Sequence, residues 1–294
     1  MPPLQRDGGD GLLAYHGTTK TGLTELKPFA SQQSKLKHPR VYLSPSKVLA
    51  ALHIWDKPYR WVKYEYTQDG RIAYLEPYPD ALEKFYGGVA GSIYTCEGKF
   101  KRFAGDVFVS GKAVTVSEEE LVPDTLACIL EYENQGLLEI RRCEAMPETT
   151  AIPMTKQHIP VVVHVLLEES VKAALHIEKF SNKQWEKALR KNFRDKDEAN
   201  FILYRGSRPM GWLKLNGLRG DTAWISMLMV HPAHQRTGAG GFSVGYAEQF
   251  AREKGFKSLG IKTTPDNAPA RACYEKLGYT LIEENDRLTY TKEL

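Results

Sequence analysis

Three observations predict an α/β (α+β) protein built from two domains. The chain has 294 residues, about twice the ~150 expected of a single domain. Hydrophobic residues make up 42% and charged residues 26% of it, a globular balance that excludes a chain disordered along most of its length. Short strand-like runs and helical runs follow one another throughout, and residues 145–160 (AMPETTAIPMTKQHIP) interrupt them with three prolines and several threonines. The expected division is therefore a domain of residues 1–150 and a second of residues 158–294.

In the first half, YHGTTKTGLTELKP and HPRVYLSPSKVLAALHIW read as short strands followed by turns and a short helix. WVKYEYTQDGRIAYLEPY alternates aromatic and polar residues around Asp69–Gly70, which predicts a hairpin. PDALEKFYGG reads as a short helix stopped by Gly87 and Gly88, and GSIYTCEG and KAVTVSE as further strands.

The second half is more regular. PVVVHVLL reads as a strand, and EESVKAALHIEKF and SNKQWEKALRKNF have helical spacing, with Ser181 placed to cap the latter. ANFILYR, PMGWLKLN and TAWISMLMV are consecutive strand-like runs. GAGGFSVGYAEQFAREKGF is a helix entered through glycines and closed at Gly255. KSLGIKT is a strand, APARACYEKLGY a helix ending at Gly278, and two short strands finish the chain. The predicted order is β-α-α-β-β-β-α-β-α-β-β.

The strongest chemical signal lies from Val230 to Gly241, VHPAHQRTGAGG. A strand ends there, Pro232 breaks the pattern, and Gly238, Gly240 and Gly241 open a helix. Glycines let a backbone approach a ligand closely, and the first helical N–H groups have no intrahelical partner. With the helix dipole behind them, such N–H groups suit a pyrophosphate. No Gly-Lys-Ser/Thr follows, which excludes a Walker A loop, and a dinucleotide fold would place its glycines after the first strand.

Gln235-Arg236-Thr237-Gly238-Ala239-Gly240 resembles the Q/R-x-x-G-x-G/A signature of the GNAT superfamily of acyl-CoA-dependent N-acetyltransferases. The run from Asn267 to Tyr279 resembles that family's second motif, N-x-x-A-x-x-x-Y-x-k-x-G-F/Y. The resemblance covers roughly residues 158–294 and implies a GNAT fold with a mixed, mainly antiparallel sheet. It implies acetyl-CoA as cosubstrate, with no metal, and a primary amine of a small molecule, protein or peptide as acceptor. It places the pyrophosphate on the backbone of Arg236, Thr237, Gly238, Ala239, Gly240 and Gly241, after Gln235. Met229 and Val230 would offer strand-edge hydrogen bonds to the pantetheine, and Asn267 and Tyr274 would lie beside the thioester. Tyr274 would be catalytic, as proton donor to the leaving thiolate, since a phenol with pKa ~10 can supply that proton within hydrogen-bond reach; the other reading of Tyr274 is a packed aromatic. Arg236 either contacts a phosphate or faces solvent. Many relatives carry an acid on the fourth strand as base, whereas TAWISMLMV has none. His231 and His234 follow it and are either bases or turn histidines, and a water with no dedicated base also satisfies the chemistry.

In the first half, Tyr15-His16-Gly17-Thr18-Thr19 and the later VYLSPS resemble the opening of ADP-ribosyltransferase-like folds. That resemblance implies nicotinamide gripped by the His16 segment, a stacking tyrosine such as Tyr42, and a carboxylate, for which Glu97 is the candidate. The other reading makes this domain a recognition module. The aromatic residues from Trp55 to Tyr94, among them Tyr59 and Trp61, form either a stacking surface or a β-rich core.

Net charge is +4, with −2 in residues 1–150 and +6 in the remainder; much of the excess sits between Lys183 and Lys196, as on a solvated helix face. An acidic first half argues against nucleic acid. No apolar run reaches the ~20 residues of a membrane helix, and the N-terminus lacks an apolar signal segment. Four cysteines far apart indicate neither disulfides nor structural zinc. The expectation is a cytoplasmic acyltransferase with no membrane partner. The competing classes are a CoA-binding sensor of low activity and an ADP-ribosyltransferase-like enzyme with an accessory GNAT domain. Neither the acceptor nor the oligomeric state is legible.

Overall fold

The computed structural model describes residues 12–29, 38–57, 62–104, 107–175, 181–192 and 195–294. The chain divides into two compact units between Met146 and Pro147, so the second begins eleven residues before the expected 158.

The first unit runs β1 (Leu12–Thr18), β2 (Glu25–Leu26), β3 (Val41–Leu43), α1 (Lys47–Ala51), β4 (Tyr64–Tyr66), β5 (Ile72–Leu75), α2 (Ala81–Tyr86), β6 (Gly91–Gly98), β7 (Lys101–Ala104), β8 (Val107–Ser110), β9 (Val114–Thr115), β10 (Glu118–Val122), α3 (Thr125–Asn134) and β11 (Leu138–Arg141). Its sheets are small, in the orders β1-β6-β10, β11-β5-β4, β3-β8-β7 and β2-β9. The hairpin around Asp69–Gly70 forms as β4 antiparallel to β5, with Gly70 at φ +84° as its turn requires. Helix α3 is not anticipated by the sequence patterns; Asp124 caps it by accepting from the Ala127 N–H at 3.0 Å.

The second unit runs β12 (Thr149–Pro153), α4 (Ile159–Leu166), α5 (Glu169–Ala174), α6 (Asn182–Asn192), β13 (Ala199–Arg205), β14 (Arg208–Asn216), β15 (Ala223–Val230), α7 (Ala239–Glu253), β16 (Ser258–Thr263), α8 (Ala268–Lys276), β17 (Thr280–Glu284) and β18 (Leu288–Glu293). Seven strands form one sheet in the order β12-β13-β14-β15-β16-β18-β17. Only the β15–β16 pair in this sheet is parallel, and the others are antiparallel. Ser181 and Gln184 at the start of α6 bond reciprocally, the Ser181 N–H to Gln184 Oε1 at 2.8 Å and the Gln184 N–H to Ser181 Oγ at 3.4 Å, which makes a capping box. The C-terminal part of the run EESVKAALHIEKF, residues 176–180, lies outside the described residues.

One element changes type. PVVVHVLL is helix α4, not a strand, and the strand that opens this unit is β12, inside the stretch expected to be the boundary. β-Branched valines favour strands locally, but Pro160 falls in the first helical turn, where a missing N–H costs nothing. A capping box of Thr155 and His158 starts the turn before it. Ile159, Val162, Val163 and Leu166 then share one face and bury it against Ile202, Trp212 and Met229. Burial at 3.6-residue spacing outweighs a propensity term worth a few tenths of a kcal/mol per residue.

Phe201, Leu203, Leu213, Leu215 and Ile225 face the other way and pack with Val244, Ala247 and Tyr274. The sheet is therefore covered on one face by α4, α5 and α6, and on the other by α7 and α8.

Candidate active site

The site is built on an opening in the sheet. Strand β15 pairs with β16 only through Ala223, Trp224 and Ile225, yet continues to Val230. At that point the register with β14 shifts, leaving Ser226 as an extra residue between Ile225 and Met227, which is a bulge. From Ser226 onward the β15 edge facing β16 carries no ladder bonds. Close contact beside the paired part is set by Gly260, where a Cβ would come within 2.3 Å of the Trp224 ring. Met229 is buried in the core toward α4, and Val230 packs partly buried toward α7.

Beyond Val230 the chain makes a short 3-10 turn, Pro232–His234, and then the loop into α7. Arg236 stands at φ +64° and Gly238 at φ +82°. A left-handed arginine is an uncommon conformation that costs of order 1 kcal/mol and persists only where surroundings impose it. The first α-helical bond in α7 comes from the Phe242 N–H to the Gly238 carbonyl at 3.0 Å, so the N–H groups of Ala239, Gly240 and Gly241 precede the ladder. Gln235 and Arg236 are exposed, Thr237 is half-buried and Ala239 buried. Gln235 turns back, its Nε2 donating to the Val230 carbonyl at 3.0 Å, which ties the loop to the strand end.

Arg205, at the end of β13, holds this loop and was not among the residues expected there. Only 3% exposed, it donates through Nη1 to Thr237 Oγ1 at 2.5 Å and through Nη2 to the Thr237 carbonyl at 2.9 Å and Thr149 Oγ1 at 3.3 Å. Thr237 Oγ1 in turn donates to the His234 carbonyl at 2.5 Å. A buried guanidinium thus engages the carbonyl side of the loop and brings positive charge behind its N–H side. No local pattern marks a strand-end arginine 32 residues upstream as part of this loop.

Helix α8 lies beside the entry of α7: a Cβ at Gly240 would sit 3.9 Å from Cys273 Sγ. Asn267 caps α8 through Oδ1, which accepts from the Ala270 N–H at 3.3 Å, so part of its motif role is structural. Tyr274 is 6% exposed and packs edge-on against Tyr290 at 5.8 Å and tilted against Tyr279 at 6.2 Å. Burial pushes its phenol well above the ordinary value, so it stays protonated. The neighbouring Cys273 thiol is pushed up by the same desolvation.

His231 and His234 stand in the turn, as one expectation had it, but not on the surface: both are buried, at 6% and 0% exposure. His231 Nδ1 accepts from the Ala233 N–H at 3.1 Å. Its Nε2 lies 3.7 Å from Oε1 of Glu168, and His164 Nε2 lies 3.8 Å from the same oxygen. Reading residues 160–167 as a strand hides this cluster, because it places His164 in the wrong element.

In the first unit, a cavity of about 780 Å³ opens between β1, β3 and the following turns, with Tyr15, His16, Thr18, Tyr42, Trp55 and Tyr64 in its wall. His16 Nδ1 lies 2.8 Å from the Tyr42 carbonyl. Glu97 is not brought there. It pairs with Leu13, while His16 pairs with Tyr94, and this odd offset puts Glu97 and His16 on opposite faces. The carboxylate on the His16–Tyr94 row is Glu119, paired with Tyr94, which accepts from Tyr94 Oη at 2.9 Å, Ser92 Oγ at 2.6 Å and the Gly22 N–H at 2.9 Å. Tyr74, Tyr78, Phe85, Tyr86 and Tyr94 are buried, so most of the described aromatic residues of this run are core; Tyr59 and Trp61 lie outside the described residues.

The seven-stranded sheet, its split after Ile225 and the glycine-opened helix beyond it give the second unit a GNAT fold. Residues 164–279 match the sequence model of the Acetyltransferase (GNAT) family. A curated relative, streptothricin acetyltransferase of Escherichia coli, is 26% identical over 87 residues, which are 30% of this chain and 50% of the relative. The chain thus spans about half the length of the curated relative it matches. Among solved structures, an acetyltransferase from Thermus thermophilus is similar at 22% identity and a TM-score of 0.45, covering 51% of this chain and 99% of the other. Spermidine N-acetyltransferase from Vibrio cholerae, in complex with CoA and spermine, is similar at 14% identity and a TM-score of 0.43, covering 50% and 94%. Among the described residues, no helix is long and apolar enough to cross a membrane.

Proposed function

We propose that the second unit transfers the acetyl group of acetyl-CoA to a primary amine, by direct attack of the amine on the thioester carbonyl. The observation that carries this reading is the unpaired β15 edge from Ser226 to Val230, leading directly into the loop with left-handed Arg236 and Gly238. An unladdered strand edge offers backbone partners for the pantetheine amides at Val230. Met229, expected to share that role, turns its backbone groups to Trp212 of β14, because the His231 N–H bonds to the Met210 carbonyl and successive residues alternate between edges. The loop then offers successive N–H groups, from Arg236 through Gly241, to the pyrophosphate.

Gln235 and Arg205 hold that loop in shape from its two ends, and Asn267 fixes the start of the helix that carries Tyr274. Collapse of the tetrahedral intermediate breaks the carbon–sulfur bond, and the thiolate takes a proton. Tyr274 is the donor in this reading. A phenol raised by burial is a poor acid against a thiolate in water. A thiolate desolvated in the same place is raised too, as Cys273 is, which narrows the mismatch.

The first unit serves recognition in this reading, with the cavity beside His16 and Tyr42 as its binding surface. Mixing the full chain with acetyl-CoA and a panel of amines, including spermidine, aminoglycoside-like amines and peptides with free N-termini, tests the assignment by release of free CoA. Tight acetyl-CoA binding with no release above the hydrolytic background for any amine would favour a CoA-binding sensor instead.

A further inference from the structure

The cluster of His164, Glu168 and His231 plays no part in the proposed transfer. Its three side chains come from two places: His164 and Glu168 stand four residues apart at the end of α4, and His231 follows Val230 at the end of the open strand. One ligand atom from each lies within 4.8 Å of the other two. Glu168 is 3% exposed and His231 6%, while about half of the His164 side chain reaches solvent.

The spacing is informative. At 3.7 and 3.8 Å the two imidazole nitrogens are too far from the Glu168 oxygen for direct hydrogen bonds, which lie near 2.7–3.2 Å. The two imidazole rings lie nearly parallel, 13° apart, with centroids 6.1 Å from each other. Two ligands held tetrahedrally at 2.0–2.1 Å from one ion stand about 3.4 Å apart. The two imidazole–carboxylate separations are therefore within a few tenths of an ångström of those between atoms that share a central ion, and the third pair lies within 4.8 Å. Two imidazoles and one carboxylate suit zinc-class ions and not magnesium or calcium, which take oxygen ligands.

We propose that His164, Glu168 and His231 form a binding site for one divalent transition-metal ion of the zinc class. Three protein ligands leave a fourth position open, on the solvent side of His164, for water or an anionic group. The site goes beyond acetyl transfer and stands independently of it. Metal binding has a consequence for the adjoining turn. The Ala233 N–H, pointing at His231 Nδ1, favours the tautomer with its proton on Nε2. An ion at Nε2 displaces that proton toward Nδ1, so the Ala233 contact is given up and the 231–234 turn shifts, four residues before Gln235.

The test uses the untagged full-length chain, stripped by dialysis against a chelator and titrated with Zn²⁺ by calorimetry with parallel metal analysis. The expected result is one Zn²⁺ per chain with a dissociation constant of roughly 1 μM or tighter. Affinity should fall at least tenfold in His164→Gln, Glu168→Gln and His231→Asn. Half-exposed His164 is the decisive position, because its replacement leaves the core intact even if a Glu168 variant fails to fold. The Ala233 amide should move in a nitrogen–proton correlation spectrum of the wild type on zinc addition, and stay in place in His164→Gln at the same zinc concentration. Absence of stoichiometric binding, or binding of unchanged affinity in His164→Gln and His231→Asn, would overturn the assignment.

Discussion

Gly238 and Tyr274 carry different chemistry, and their replacements should fail differently. A Cβ built on Gly238 meets no atom within 4 Å, but its φ of +82° is strained for any side chain, by roughly 1–2 kcal/mol. Gly238→Val should therefore fold while placing a branched side chain beside the outward N–H groups at the start of α7. Calorimetry should show acetyl-CoA binding weakened more than tenfold, or over ~1.4 kcal/mol. Wild-type affinity in a folded Gly238→Val protein would move the pyrophosphate elsewhere. Tyr274→Phe keeps the ring contacts with Tyr279 and Tyr290 and removes only the phenol hydroxyl. If that proton goes to the thiolate, kcat falls by a factor in the ~10²–10⁴ range of general acid catalysis, with little change in acetyl-CoA affinity. Nearly full turnover in Tyr274→Phe would return Tyr274 to packing and leave water as donor.

The loop between β15 and α7 is the element on which the site depends, and Arg205 is its anchor. Losing the contacts to Thr237 and Thr149 frees the loop carbonyl and removes a buried positive charge. Arg205→Met should raise the acetyl-CoA dissociation constant by at least tenfold. A shorter donor separates loop positioning from general damage: acetyl-pantetheine has no pyrophosphate, so its turnover with the same amine should change less than threefold in Arg205→Met. Equal losses with both donors would make Arg205 a fold residue. Elements are legible where a local rule acts alone, as in the glycines opening α7, the Ser181 cap of α6 and the apolar runs of β13, β14 and β15. Helix α4 reads locally as a strand because valine-rich runs carry a strand preference, and only the partner surface of Ile202, Trp212 and Met229 reveals which spacing is buried. Strand β12 is hidden because it is only five residues long, ends in a proline and lies between the prolines of the 145–160 stretch. Its pairing with β13 supplies what its sequence lacks.

Across the molecule, two units carry two kinds of surface: a split sheet with a glycine-rich loop beyond it, and an aromatic-walled cavity. If the first unit only positions the acceptor, its binding is felt equally before and in the transition state. His16→Ala should then raise the acceptor KM and leave kcat within about twofold, and the full chain incubated with NAD should release no nicotinamide. Nicotinamide release that disappears in His16→Ala would make the first unit an enzyme in its own right. The linear order of residues was enough to specify the class of the second unit and the place of its loop, because glycines, caps and short apolar runs act over a few neighbouring residues. It could not bring Arg205 behind Thr237, set Glu168 between His164 and His231, or turn Glu97 away from His16. Those placements follow from strand pairing and helix packing across tens of residues, where a contact is decided by the summed burial of whole elements and not by the residues that make it.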